Sequence, residues 1–344
     1  MKSTNNLCKV ELKKSEDAVT GKMGLSWLTQ AMKGFGVEKI ISDEYVRGSN
    51  REIGYFKKIM AGVMTRVAGG DGVEDVENLR VDVGLLESLG WDAIMSADRD
   101  LNMIKDKRSN AKARGENNAM VIKALRQLEE NELTYDNDAT YFDSDKESAQ
   151  YSYQKSKQFS GLTGSLAELG MINTVDFRGG NVCPVKGILN QLRKAVGQAK
   201  EAEKQIKRFR SDSAGYRMDV MTYCAIEGIR YFISADKDKA VCRAIKSIRP
   251  SQWQILSGEY AKNENTQWAQ ARHVMSRGFG VRMLVLRWPN PDLDLFESRP
   301  YCYHAIVTND NEIKPMDWLK AHNGRMGTIE HAHQEIRLRL CAKS

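Results

Sequence analysis

Apolar residues recur every three or four positions at Phe56, Ile59, Met60, Val63, Met64 and Val67, which draws one stripe along a helix. Gly69-Gly70-Asp71-Gly72 then supplies residues that end a helix and open a turn. A second helical pattern runs from near Asp75 through Leu79, Val83, Leu85 and Leu86 to Leu89-Gly90. A third covers Ala119 to Glu132, with Met120, Ile122, Ala124, Leu125 and Leu128 among charged residues. Residues 1 to about 130 are therefore expected to form a helical region. Within it Arg99, Lys105, Lys107, Arg108, Lys112 and Arg114 form a basic, Asn-rich segment, either a solvated linker or a surface for phosphate.

From Asn131 the pattern changes. Thr134 to Phe142 reads as a strand of β-formers, followed by the polar run Tyr151 to Lys157 and by strand-like Met171-Ile-Asn-Thr-Val175. Gly179-Gly180-Asn181 makes a turn, and helical character returns from Pro184 through Ile188, Leu189, Leu192 and Val196 to Ile206. A strand at Arg208 to Arg210, a helix at Tyr216 to Glu227 and a strand at Gly228 to Ser234 complete a mixed sheet with helical crossovers. Between residues 240 and 314 the alternation stops. Val281 to Trp288 and Tyr301 to Thr308 are strands joined by turn residues, with no crossover helix long enough between them, as in an antiparallel insertion. Trp253, Trp268, Trp288, Tyr301 and Tyr303 in this stretch either fill a small β core or stack on extruded bases.

The acidic residues conflict with this pattern. Asp136 and Asp138 interrupt a strand, where a carboxylate is disfavoured and costly to bury unless a cation or hydrogen bonds compensate it. Asp212 stands between a short strand and a turn, and Glu330 lies in Gly327-Thr-Ile-Glu330-His-Ala-His333. Acids so far apart in sequence fit a divalent-metal site of oxygen ligands assembled by folding, its first member being Asp136 or Asp138. Carboxylates near the ends of two strands would lie at one edge of the sheet. His331 and His333 are two apart, which places them on different sides of a helix and does not suit a shared Zn²⁺.

Composition narrows the class. The 344 residues suggest two domains, and the 41% hydrophobic content suffices for a sizeable core. The net charge of +7 suits a polyanionic partner without establishing one. Six cysteines without a C-x-x-C pair indicate neither a zinc knuckle nor a disulfide framework. No apolar run has the length of a membrane span and the start of the chain lacks a signal-peptide pattern, so a cytoplasmic location is expected.

Four segments taken together carry a family resemblance. Asp136-Asn-Asp138-Ala-Thr140, Arg210-Ser-Asp212-Ser-Ala-Gly215-Tyr216, Tyr303-His-Ala-Ile-Val-Thr-Asn-Asp310 and His322-Asn-Gly-Arg325-Met-Gly-Thr-Ile-Glu330-His-Ala-His333 resemble the DDE transposases of bacterial insertion sequences. The resemblance covers most of the chain and extends to Gly69-Gly-Asp-Gly-Val-Glu-Asp-Val-Glu-Asn-Leu79. It implies an α/β fold with an RNase H-like mixed sheet and flanking helices. Residues 1–130 would be the DNA-binding N-terminal region, 131–239 the first part of the catalytic core, 240–314 the β-rich insertion, and 315–344 a C-terminal core helix shorter than in relatives.

By the same resemblance Asp138, Asp212 and Glu330 would be the catalytic triad and metal ligands, with Asp136 the neighbouring alternative for the first position. Two Mg²⁺ or Mn²⁺ ions bridged by carboxylates would lower the pKa of the attacking water or 3′-hydroxyl and stabilise the leaving oxygen. Arg325, Arg337, His333, Lys155 and Lys157 would contact DNA. The expected partners are terminal inverted repeats and target DNA, bound by a homodimer in a synaptic complex on the bacterial nucleoid. The chain departs from the family signature around the third acid. His322 stands where Tyr is usual, four residues instead of three separate Arg325 from Glu330, and Arg337 replaces a Lys. A shortened derivative that binds DNA without cutting, or an RNase H-like nuclease without strand transfer, are the alternatives.

Overall fold

The computed structural model describes residues 18–41, 53–275, 278–291 and 300–340. The chain divides after Glu116 into two compact units. The first is helical: α1 (Met23–Gly34), α2 (Val37–Ile40), α3 (Tyr55–Val67), α4 (Glu77–Arg80), α5 (Val83–Leu89) and α6 (Ala97–Lys105), with α7 (Lys107–Arg126) beginning in it and running into the second unit. Helix α3 buries Tyr55, Phe56, Met60, Ala61 and Met64, much of the stripe read from its periodicity, while Val67 at its end is exposed. The helix expected from Asp75 to Leu89 is broken into a 3₁₀ turn, α4 and α5. The break has a cause in Asp82: its Oδ1 caps α5 at the Leu85 amide (2.9 Å), and its Oδ2 accepts from Thr20 and Lys22. The helix expected at Ala119–Glu132 begins earlier, at Lys107, so the basic segment is helical.

The second unit is built on one sheet. Its elements in chain order are β1 (Glu132–Asp143), β2 (Gln150–Tyr151), β3 (Lys157–Leu166), β4 (Met171–Gly179), α8 (Ile188–Glu201), β5 (Gln205–Ser211), α9 (Met218–Ile226), β6 (Arg230–Ser234), α10 (Lys239–Lys246), β7 (Gln254–Ile255), β8 (Gln267–Val274), β9 (Gly280–Pro289), β10 (Tyr301–Thr308), α11 (Pro315–Asn323) and α12 (Ile329–Leu340). The strand order is β2-β3-β1-β5-β6-β10-β9-β8-β7, and β4 also pairs with β3. Strand β1 is antiparallel to β3 and parallel to β5, and β6 continues parallel to β5. The run β4-β3-β1-β5-β6 is thus a mixed sheet, as the sequence pattern led one to expect. Beyond it β10 pairs antiparallel with β6 and carries the meander β9-β8-β7, which extends the same sheet.

Three features differ from expectation. Strand β3 was not legible as a full strand, because Ser160, Gly161, Thr163, Gly164 and Ser165 are small or polar. They are accommodated because Tyr135 crosses over Gly164, where any Cβ would overlap the Tyr135 hydroxyl. Within residues 240–314 a helix that the pattern did not announce precedes the strands: α10, nucleated by Asp238, whose carboxylate caps the Ala240 and Val241 amides at 2.8 Å. The C-terminal segment contains two helices, α11 and α12, separated by the 3₁₀ turn Gly324–Gly327.

Strand β1 is held on both faces. Alternate residues point to opposite sides of a strand. On one side Asn137 donates to Gln191 of α8 (2.8 Å) and to the Thr163 carbonyl (3.0 Å), beside the Tyr135–Thr174 hydrogen bond (2.8 Å). On the other side Asp136 and Asp138 face the segment that leads into α12. The insertion aromatics are packed: Trp253 and Tyr303 lie against the main core, and Trp268 and Trp288 against a second cluster centred on Trp318 and Leu319. Arg287 stacks on Trp253 and Tyr301 at 4.0 and 4.6 Å. No helix among the described residues is long and apolar enough to cross a membrane.

Candidate active site

The β1–β5 register sets Asp136 opposite Arg210 and Asn137 opposite Ser211. Asp136 is completely buried, and Arg210 grips it in a bidentate pair, Nε to Oδ1 at 2.5 Å and Nη2 to Oδ2 at 2.7 Å. The Thr328 hydroxyl also donates to Asp136 Oδ2, and Arg210 Nη1 donates to the Ala321 carbonyl at 3.1 Å. A buried carboxylate persists only with such charge-assisted partners, so Asp136 is committed to holding β1, β5 and the α11–α12 segment together. Asp138 is the carboxylate of β1 left facing the other acids.

Asp138 and Asp212 each come directly after the last paired residues of the parallel strands β1 and β5, Asn137 and Ser211, and Asp212 acts electrostatically on Asp138. Asp138 Oδ1 accepts from the Ala139 amide at 2.8 Å, and Oδ2 lies 3.2 Å from Arg325 Nη2. Asp212 caps the 3₁₀ turn after β5 by accepting from the Ala214 amide at 3.0 Å. Glu330 sits exposed in the first turn of α12, where the helix dipole favours an acid. The Asp138 carboxyl is raised to about 6, first by burial and also by the charges of Asp212 and Glu330, against the Arg325 guanidinium and the Ala139 amide, which lower it. The three acids therefore share one electrostatic field, and a carboxylate under that pressure is stabilised by a cation. An all-oxygen donor set suits a hard divalent ion. Among the described residues no three carboxylate, imidazole or thiol groups already converge closely enough to hold an ion together, so these acids fit such an ion in chemistry and do not form a ready-made cage.

The residues expected to contact DNA fall into three groups. Arg325 and His333 are buried and turned into the site: Arg325 pairs with Asp138, and His333 shares a hydrogen bond with Thr163 through Nε2, with Nδ1 3.8 Å from Asp138 Oδ2. Lys155 and Lys157 lie beside the β2–β3 turn, Lys155 exposed with a φ of 63° and Lys157 half-buried with Nζ 3.4 Å from the Asp145 carbonyl. Arg337 lies on α12, and its side chain is outside the described residues. His331 is exposed while its neighbour two along, His333, is buried, so the structure does not bring the two rings together.

His322, at the position where the signature has Tyr, is buried with Nε2 3.1 Å from Ser234 Oγ and its ring 5.6 Å from that of His304. Burial, with Arg325 next in effect, pushes His322 down to about 3. Burial and nearby cations push His304 down to about 4, so both rings stay neutral. Sequence reasoning did not assign a role to Arg210, Thr328 or Gly324. The signal available was spacing, since Arg210 and Thr328 each stand two residues before an acid already singled out.

Three comparisons bear on this site. The chain matches the family model described as transposase DDE domain group 1 over residues 2–342. No curated protein matches it. Among solved structures, the piggyBac transposase synaptic complex with hairpin DNA aligns with a TM-score of 0.46 and 12% identity, over 94% of this chain and 67% of that one.

Proposed function

The chain belongs to the family of transposase DDE domains, group 1, enzymes that cut DNA and transfer its strands, and we propose that Asp138, Asp212 and Glu330 are the carboxylates with which it does so. The observation that supports this assignment is the β1–β5 register, which sets Asp138 beside Asp212 with Glu330 acting on the same carboxyl. DDE transposases use divalent metal ions. Here two Mg²⁺ or Mn²⁺ would be held by Asp138, Asp212 and Glu330, and when bound they supply an activated oxygen nucleophile and charge stabilisation at the leaving oxygen.

The chain's own groups prepare that chemistry. Arg325 balances Asp138 and, with His333, meets a phosphate that enters the site. Neutral His322 and His304 keep further positive charge away from it. Lys155, Lys157 and Arg337 contact the DNA backbone outside, where their charge contributes sequence-independent affinity. The substrate is the terminal inverted repeat of a bacterial insertion sequence, joined to target DNA by a homodimer on the nucleoid. Residues 1–130 bind those ends, residues 131–239 with 315–344 form the catalytic core, and residues 240–314 are its insertion.

Incubation of the protein with labelled end DNA and Mg²⁺ or Mn²⁺ tests the proposal. Metal-dependent cleavage followed by joining of the 3′ ends is the expected result. A mobility shift with no cleavage in either metal, or cleavage with no joined product, would contradict it.

A further inference from the structure

Each of the three acids stands two residues after a member of one hydrogen-bonded cluster centred on the buried carboxylate of Asp136. Asp138 follows Asp136 on β1, Asp212 follows Arg210 on β5, and Glu330 follows Thr328 at the start of α12. We infer that Asp136, Arg210 and Thr328 form a positioning triad that sets the separation of Asp138, Asp212 and Glu330. The inference rests on the assignment of those acids as metal ligands and extends it inward to the groups that hold them.

The hydrogen bonds leave little freedom. Asp136 receives both Arg210 hydrogen bonds and the Thr328 hydroxyl, and Arg210 reaches on to Ala321 at the end of α11. The far side of the guanidinium is closed by Gly324, where any side chain would overlap Nη1. Two residues further along an extended strand the side chain returns to the same face. Fixing Asp136 against Arg210 therefore fixes Asp138 relative to Asp212, and the Thr328 bond ties the first turn of α12 to the same point. A well-packed apolar cluster could match such a buried pair in stability. It could not impose directional, bidentate spacing on three chain segments. A divalent ion with strict octahedral demands depends on that spacing more than one with flexible coordination.

The test is binding of Mn²⁺ and of Ca²⁺ to the full chain, by titration calorimetry and by loss of the free-Mn²⁺ resonance signal. Thr328→Val removes the hydroxyl at constant volume, Thr328→Ser keeps it, and Asp138→Ala removes a proposed ligand. Thr328→Val is expected to weaken Mn²⁺ binding by about tenfold or more, the usual effect of losing a group that orients a ligand. The loss for Ca²⁺ should be smaller and the unfolding midpoint close to that of the unmodified chain, while Thr328→Ser should restore Mn²⁺ binding. Should Thr328→Val not fold, Thr328→Ala is measured in its place. If the Val or Ala variant binds Mn²⁺ as tightly as the unmodified chain while Asp138→Ala does not, the triad only stabilises the fold and the inference is wrong. If Asp138→Ala also binds unchanged, the assignment of the acids fails and the inference fails with it.

Discussion

Gly324, the residue after α11, lies so close to the guanidinium of Arg210 that a methyl group there would overlap Nη1. Its φ of −55° is open to any residue, so glycine is required here by space and not by backbone geometry. Arg210 cannot yield, being held by Asp136 and by the Ala321 carbonyl.

Gly324→Ala should therefore destabilise the chain by roughly 1–3 kcal/mol, the usual cost of overpacking a fixed site. Urea unfolding measures this directly. Gly327, next to which no atom lies within reach of an added Cβ, serves as the control, and Gly327→Ala should change stability much less.

Asp136 and Asp138 are two residues apart on one face of β1, and their substitutions should separate stability from chemistry. Asp136→Ala leaves Arg210 buried without its carboxylate, at a cost of roughly 3–5 kcal/mol. Asp138→Ala also leaves Arg325 without its partner, but it removes an anion that Asp212 and Glu330 already oppose, so it should abolish cleavage with a smaller loss of stability. Chemical denaturation run beside a cleavage assay distinguishes the two, and equal destabilisation by both would contradict the division of roles.

Acid should weaken the fold through His322 and His304. Their folded-state pKa values, about 3 and about 4, lie below the ordinary value for histidine. The unfolded chain therefore binds more protons, and stability present above about pH 6.5 is lost as the pH falls toward those values. Between pH 7.5 and 4.5 the His322 contribution is roughly 3 kcal/mol. Unfolding of His322→Gln should show a shallower decline over that interval than the unmodified chain.

Salt dependence of DNA binding should sort the cations. Lys155→Ala with Lys157→Ala should lower the slope of log affinity against log salt by about two, one for each positive charge withdrawn from a phosphate. Arg325→Ala removes a charge that is already paired with Asp138 inside the protein. It should lower that slope by less than either lysine does and reduce stability as well.

Much of the second unit was legible because its strands and crossover helices have the periodicities that burial on a sheet imposes. Strand β1 with its misplaced acids, the α8–β5–α9–β6 alternation and the β9 and β10 hairpin strands all carried that signal. Strand β3 did not, because its Gly, Ser and Thr residues are there to fit beneath Tyr135 and to pack between neighbours, and such residues have no apolar period. Helix α10 was hidden by its length of eight residues. The division of labour between Asp136 and Asp138 could not be read from the strand. It depends on Arg210, 74 residues away, and on Thr328, 192 residues away. The same holds for the pairing of Arg325 with Asp138, which nothing in the local sequence announces.

Single-turnover cleavage of end DNA by Asp138→Ala, Asp212→Ala and Glu330→Ala, each with a mobility-shift control at low salt, tests the central assignment most directly. Each variant should bind DNA about as well as the unmodified chain, since Lys and Arg contacts to phosphate dominate affinity, and none should cut in Mg²⁺ or Mn²⁺. Cleavage at the unmodified rate by any one of the three would show that its carboxylate is not part of the catalytic site.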